Sequence, residues 1–142
     1  MRSCSYDIVE SLQWIPTGRQ SRMLDIARKE AEKSTAHYKV GCAIECSCGT
    51  IVSGHSQNKT HPMQRKYTVD PVKICLHAEI HALSRLRGLI PISALIVRKN
   101  KLGLANSAPC DSCCAAMMAF GVKEFIFYSN SQWFSVKGVS VL

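Results

Sequence analysis

Apolar and polar positions along this chain follow two periods, and the switches between them mark out the elements. Residues 5–14 read as a short helix that stops before Pro16-Thr17-Gly18. Ser21 is placed to cap a second helix running to about Ser34, with Met23, Ala27 and Ala31 on one face. Val40-Gly41-Cys42-Ala43-Ile44 reads as a strand; the Cys48-Gly49 turn reverses the chain, and Thr50-Ile51-Val52-Ser53-Gly54 returns antiparallel to it. Residues 55–75 are polar and irregular, with breakers at His61-Pro62 and Asp70-Pro71. A connection that long inside a compact domain is usually functional. A helix is expected over residues 75–87, closed by Gly88. Residues 92–99 form a strand and residues 100–108 a second loop. Residues 110–120 form a helix carrying Cys113, Met117 and Phe120 and ended by Gly121; residues 123–128 form another strand. The tail, residues 133–142, holds a last strand after a short Ser129-Asn130-Ser131-Gln132 turn, a connection that allows antiparallel strands but no helical crossover.

Strands interleaved with helices predict an α/β protein: a three-layer α/β/α domain built on a five-stranded mixed sheet with helices on both faces. At 142 residues the chain reads as one domain with a single core, residues 21–142 forming the body and residues 1–20 an N-terminal extension. Repeats and low-complexity stretches are absent from the sequence. Both candidate site segments, described next, open a helix, and two such helix starts can meet at one edge of a sheet.

The chemistry is concentrated in His77-Ala78-Glu79 and, about thirty residues later, Pro109-Cys110-Asp111-Ser112-Cys113. His77, Cys110 and Cys113 are three metal ligands in type and spacing. Three protein ligands leave a fourth position on zinc open, where bound water has its pKa lowered toward about 7. Two thiolates offset the charge of the dication and temper that acidity, so a nearby base helps. Glu79 is that base by position. Residues i and i+2 diverge by about 200° around a helix, so Glu79 is no obvious fourth ligand, yet near a helix start it can reach the open side of the metal. A carboxylate that gives and takes protons needs a raised pKa, which a dry pocket supplies. Pro109 suits a helix start, and a helix N-terminus favours thiolate over thiol at the cysteines.

Neighbouring residues invite other readings. His77 and His81 are spaced i, i+4 like a metalloprotease pair, but that motif needs Glu directly after the first His, where this chain has Ala78. His81 reads as a structural histidine. Cys114 points about 100° away from Cys113 on a helix and reads as a small core residue. Cys46 and Cys48 flank the expected hairpin turn and share no C-x-x-C spacing with Cys42 or Cys75, so these four cysteines do not read as a second metal site.

Eight cysteines raise the question of a disulfide scaffold. Residues 1–6 have no apolar run behind them, which argues against a secretory leader, and no segment approaches the roughly eighteen apolar residues of a membrane span. Reduced thiols in a cytoplasmic compartment (host cytoplasm, if phage-encoded) are the reading, with no membrane partner. The formal net charge of +8 suits an anionic substrate, a nucleotide or a nucleic-acid strand. The basic residues, among them Lys59, Arg65, Lys66, Lys73 and Arg98, are scattered, and most read as a solvated surface.

The H-x-E and P-C-x-x-C pair, in this order, matches the signature of zinc deaminases. With the helix before the first hairpin, Lys39-Val40-Gly41, Asn58, His77-Ala78-Glu79-Ile80, and Ser107-Ala108-Pro109-Cys110 with Cys113, the chain resembles the cytidine and deoxycytidylate deaminase superfamily over most of residues 21–129. In look it is nearest to small phage and bacterial deoxycytidylate-deaminase-like proteins, an impression to which Asn58-Lys59-Thr60-His61-Pro62 contributes. The resemblance implies a cytidine-deaminase-like fold, Zn2+ as cofactor and a homo-oligomer. It implies that His77, Cys110 and Cys113 hold zinc, that Glu79 shuttles protons, that the Ala78 backbone N–H binds the base carbonyl and that Asn58 binds the sugar. Free cytidine deaminases usually carry Cys where this chain has His77, which turns the resemblance toward the nucleotide and polynucleotide branches. The chain departs from the family in Gly54-His55-Ser56-Gln57-Asn58, longer than the common Gly-x-Asn, and in its short C-terminus.

These readings make the protein a zinc-dependent hydrolase that deaminates cytosine in a small-molecule nucleotide, dCMP to dUMP, with Lys59, Arg65, Lys66 or Lys73 meeting the phosphate. One alternative is a deaminase of single-stranded DNA or tRNA, with Tyr67, Trp133 and Phe134 as stacking rings. Another is a catalytically idle module that keeps zinc for structure and binds nucleotide.

Overall fold

The computed structural model describes residues 5–10, 18–59, 61–67 and 75–139. In chain order the elements are β1 (Ser5–Glu10), α1 (Arg19–Glu32), β2 (Lys39–Cys46), β3 (Ile51–His55), α2 (Pro62–Tyr67), α3 (Ala78–Ser84), β4 (Pro91–Asn100), β5 (Gly103–Ala105), α4 (Asp111–Phe120), β6 (Glu124–Ser129) and β7 (Gln132–Val139). One mixed sheet runs β1-β7-β6-β4-β2-β3, with β5 pairing to β4 off that path. Only β4 and β6 pair in parallel among the described strands, and α4 is the crossover between them. The β6–β7 hairpin turns at Asn130 and Ser131, both with positive φ (50° and 63°), the backbone that a two-residue turn between right-twisted strands requires.

Parity along the strands divides the core into two layers of contact. Ala43, Leu95, Val97 and Ile126 face α1, where Met23 and Ala27 pack on them. Cys42, Ile44, Ala94, Ile96, Phe125 and Phe127 face the other way, onto Ile80 and Leu83 of α3 and Cys113, Ala116 and Met117 of α4. The result is the expected α/β/α layering. Two glycines set its thickness. A Cβ on Gly41 of β2 would lie 1.9 Å from the Ala27 carbonyl oxygen of α1, and one on Gly54 of β3 would lie 2.4 Å from the Ala82 nitrogen of α3. Each helix therefore rests directly on the sheet backbone.

The sheet has seven strands, not five. The five expected ones are β2, β3, β4, β6 and β7; the additions are β1 and the three-residue β5. Residues 5–10, expected as the start of a helix over 5–14, form a strand paired antiparallel with β7. A six-residue window of mixed polarity does not fix its own period, and the open edge of β7 decides it. This strand joins the sheet through β7; residues 11–14 lie outside the described residues. The second helix starts at Arg19 from Gly18 and ends at Glu32, so Ser21 lies inside its first turn and caps nothing. Ser34 is buried instead, its Oγ donating to the Ser56 carbonyl at 2.8 Å. The polar stretch 55–75 contains α2, with Pro62 as its first residue, where a missing N–H costs nothing. The helix expected over 75–87 shortens to Ala78–Ser84, because residues 75–77 are extended. Among the described residues no helix is long and apolar enough to cross a membrane.

Candidate metal centre and cavity

His77 stands just ahead of α3 in an extended conformation (φ −80°, ψ 152°). Its neighbour Leu76 exchanges backbone hydrogen bonds with Gln57 at 2.9 and 3.1 Å, which ties the segment alongside the end of β3. The His77 N–H donates to Oε1 of Gln64, 2.9 Å away, and Gln64 is 1% exposed on α2. The second ligand pair is held as firmly. Ser107 Oγ donates to the Ile96 carbonyl of β4 at 2.7 Å and accepts from the Tyr128 N–H of β6 at 2.8 Å, while its own N–H donates to the Tyr128 carbonyl. This clamp fixes the loop immediately before Pro109 and Cys110. Cys110 caps α4 in extended geometry (φ −71°, ψ 170°), and Cys113 follows within the first turn, fully buried. At its far end α4 stops at Gly121, whose φ of 98° is open to glycine with little strain.

These two supports bring His77, Cys110 and Cys113 together, with one ligand atom of each within 4.8 Å of the others. His77 Nδ1 lies 3.2 Å from Cys113 Sγ and 3.5 Å from Cys110 Sγ. Tetrahedral zinc with ordinary Zn–N and Zn–S bonds would separate its nitrogen and sulfur ligands by about 3.5 Å. One imidazole and two thiols at this spacing therefore fit zinc, with three protein ligands and a fourth position that the group leaves to solvent.

The charges at the centre follow from its crowding. Hydrogen bonds from the Cys113 thiol and from His77 pull the Cys110 pKa down to about 4 against the effect of burial. The hydrogen bond to Cys110, with burial, pushes the Cys113 thiol well above the usual range. His77 is raised chiefly by its hydrogen bond to Cys110. Glu79, 5% exposed on the first turn of α3, is not one of the three clustered ligands. Burial and then the Cys110 charge push its carboxyl up to about 7, with His77 and a hydrogen bond from Cys113 acting the other way. It is a buried carboxyl able to hold or release a proton near neutrality.

A cavity of about 370 Å³ opens over this centre. Glu79, His77, Ala78 and Cys110 line it, together with Leu76, Ile96, Asn58, Asn106, Tyr38 and Arg98. His77, Ala78, Glu79, Cys110 and Asn58 thus line this cavity, and the buried Cys113 clusters with His77 and Cys110. Asn58 is exposed, and its Oδ1 accepts from the Cys75 thiol at 3.8 Å.

Other residues separate as their surroundings dictate. His81 is structural: its Nδ1 accepts from the His55 N–H at 3.0 Å, and burial, then Arg85 and His55, lower its pKa to about 4. Cys114 is fully buried, as a core residue should be. Lys59, Arg65 and Lys66 do not line the cavity, and Lys73 lies outside the described residues. Trp133 packs against the Met23–Leu95 layer, Phe134 stacks on Phe127 with ring centres 5.8 Å apart, and Tyr67 packs on the core beside α3 and α4. None of these three rings lines the cavity. Sequence reasoning missed Gln64 and the Ser107 clamp as supports of the ligands. It also left Arg98 among the scattered surface charges, although its parity with the buried Ala94 and Ile96 marks it as facing the same layer.

The sequence matches the family described as the cytidine and deoxycytidylate deaminase zinc-binding region over residues 17–129, and the chain belongs to that family. It is accordingly a zinc-dependent hydrolytic deaminase of the cytosine type, with a small nucleoside or nucleotide as substrate. The same fold occurs in the cytidine deaminase from Burkholderia pseudomallei, at 19% identity and TM-score 0.64, covering 82% of this chain and 91% of that one. It occurs also in the cytidine deaminase from Mycobacterium leprae, at 17% identity and TM-score 0.60, with 84% and 94% covered. A third is the cytidine deaminase from Bacillus anthracis, at 14% identity and TM-score 0.59, with 85% and 84% covered. Comparison with curated protein sequences gives no match.

Proposed function

We propose that the protein deaminates the cytosine of a free nucleotide, dCMP to dUMP, with His77, Cys110 and Cys113 holding zinc and Glu79 as proton carrier. The observation that carries this reading is geometric: the buried Glu79 carboxyl lines the same cavity as His77 and Cys110 of the three-ligand group. Zinc in such a site supplies charge and an acidified water for attack on the ring. Glu79 accepts the proton that water loses and passes it to ring N3; it then takes the second proton from the new C4 hydroxyl and delivers it to the departing amine, so that cytosine and water become uracil and ammonia. The Ala78 N–H, at the start of α3, is in the cavity wall to receive the base carbonyl. Asn58, which lines the same cavity, is the residue this reading assigns to the sugar hydroxyls. His77 in place of the cysteine usual in free cytidine deaminases supports a nucleotide over a nucleoside.

The reading predicts that zinc-loaded protein converts dCMP with release of ammonia. Glu79→Ala should retain its zinc by elemental analysis and lose at least about a hundredfold in turnover, the span of general acid–base catalysis. Full activity in that variant would end the assigned mechanism. Action on single-stranded DNA or tRNA needs rings positioned to stack bases, and Tyr67, Trp133 and Phe134 are engaged elsewhere in packing.

A further inference from the structure

We infer that Arg98, stacked on Tyr38, is the specificity-determining residue that binds the 5′-phosphate of the nucleotide and so separates nucleotide from nucleoside; this rests on the nucleotide reading above.

The first ground is position. On β4 the residues Ala94, Ile96 and Arg98 share a face, and the first two are buried to within 1%. Ile96 lines the inner cavity close to the Ser107 clamp. Arg98 lies two residues farther along the strand, a step of about 7 Å, opposite Val40 of β2, which also lines the cavity. A position where parity calls for an apolar side chain therefore carries a cation on the cavity wall. Glu79 is the only carboxylate among the described lining residues, and Arg98 the only lysine or arginine. The lining thus carries one group of each sign, the proton carrier and a fixed positive charge. Its volume of about 370 Å³ lies within the range of small-molecule sites, about 300–1,000 Å³.

The second ground is how the side chain is held. The guanidinium carbon sits 4.1 Å above the centre of the Tyr38 ring. His37 meets Tyr38 edge-on, the ring centres 4.7 Å apart at 71°. A guanidinium held over an aromatic ring can still donate from its N–H edge. Among the described residues no carboxylate forms an ion pair with Arg98. A planar, oriented fork without an anionic partner, facing a cavity, matches the two-point geometry by which arginine binds phosphate oxygens. Lys59, Arg65 and Lys66, the cations the sequence offered for this task, have no place on the wall.

The test compares dCMP with deoxycytidine in zinc-loaded protein, by calorimetric affinity in the Glu79→Gln background, where turnover is stopped, and by kcat/KM with Glu79 intact. With Arg98 present, dCMP should bind at least tenfold tighter than deoxycytidine. Arg98→Gln should weaken dCMP by about ten- to a hundredfold, the loss of charge-assisted hydrogen bonds, while deoxycytidine stays within twofold. Arg98→Lys, which keeps charge and loses the fork, should fall between. Inorganic phosphate should compete with dCMP and leave deoxycytidine binding unchanged, a measurement that needs no variant to fold. An unchanged dCMP preference in Arg98→Gln strikes Arg98 alone and leaves the nucleotide reading standing. Equal weakening of both ligands makes Arg98 a packing residue and overturns the inference. Protein with Arg98 intact that prefers deoxycytidine, or a cytosine-containing oligonucleotide, over dCMP overturns the nucleotide reading itself and the inference with it.

Discussion

At the scale of single residues, the metal centre is a set of groups whose protons are already contested before any metal arrives. Cys110 is held as thiolate with a pKa of about 4, while the Cys113 thiol and the His77 imidazole, each hydrogen-bonded to Cys110, keep their protons more tightly than usual. Zinc must displace those protons to bind Cys113 as thiolate and His77 as neutral imidazole. Affinity should therefore rise with pH through the neutral range, and binding at pH 7 should release protons. Competition against a chromogenic chelator at several pH values, with calorimetry in buffers of different ionisation enthalpy, measures both. A pH-independent affinity without proton release would contradict the arrangement. Gln64 and Ser107 act through the ligands: each fixes the backbone beside a ligand and none of its own atoms enters the cluster.

At the scale of elements, two glycines support two helices of unequal consequence. Gly54 lets α3, which carries Glu79 and starts from His77, rest on β3; Gly41 lets α1, which carries no site residue, rest on β2. Replacing either by alanine drives a Cβ into helix backbone that cannot yield by a rotamer change. Overpacking of this kind costs about 1–3 kcal/mol, so both variants should melt lower. Only Gly54→Ala should also weaken zinc binding in the folded protein, because the displaced helix carries the ligand segment with it. Thermal melts of the metal-free proteins and zinc titrations below the melting range distinguish the two. Equal zinc affinity in both variants would mean that α3 does not set the position of His77.

At the scale of the whole molecule, the exposed edge of the sheet at β3 is closed by a polar cluster that links three elements. Glu30 of α1 accepts from His55 of β3 at 2.9 Å, the His55 N–H reaches His81 of α3, and Arg85 donates to the Ser53 carbonyl at 2.9 Å. Burial works against the Glu30 carboxylate, but hydrogen bonds from His55 and Lys33 prevail and hold it below its usual value. His81 is held neutral, its pKa falling from 6.5 to about 4 through burial and the nearby Arg85 and His55. Unfolding lets His81 take up a proton between those values, so its contribution is complete above pH 6.5 and is lost as pH falls toward 4. Glu30 adds a loss at lower pH, where its depressed carboxylate is finally protonated. These two groups should therefore make stability fall from pH 7 to pH 4, against the opposite contribution of Glu79, and His81→Asn should remove the upper part of their share. Urea midpoints at pH 7, 5.5 and 4 give the slope, and an identical slope in the variant would remove His81 as its source.

The sequence by itself determined whatever depends on spacing within a few residues. His77 with Glu79, and Cys110 with Cys113, lie within one turn at the start of a helix, so their chemistry is written in local order. The five central strands were legible for the same reason: each is long enough to show its own period, and Gly121 and the Ser129–Gln132 turn mark their own backbone needs. The tertiary structure alone decided what depends on which strands become neighbours. Residues 5–10 became a strand because β7 had an edge to pair, and Gln64 met His77 because α2 folded back inside a stretch that reads as irregular. Arg98 came to lie over the Tyr38 ring on the cavity wall through the register of β4 against β2, a pairing fixed by burial on both faces of the sheet and invisible in either strand alone.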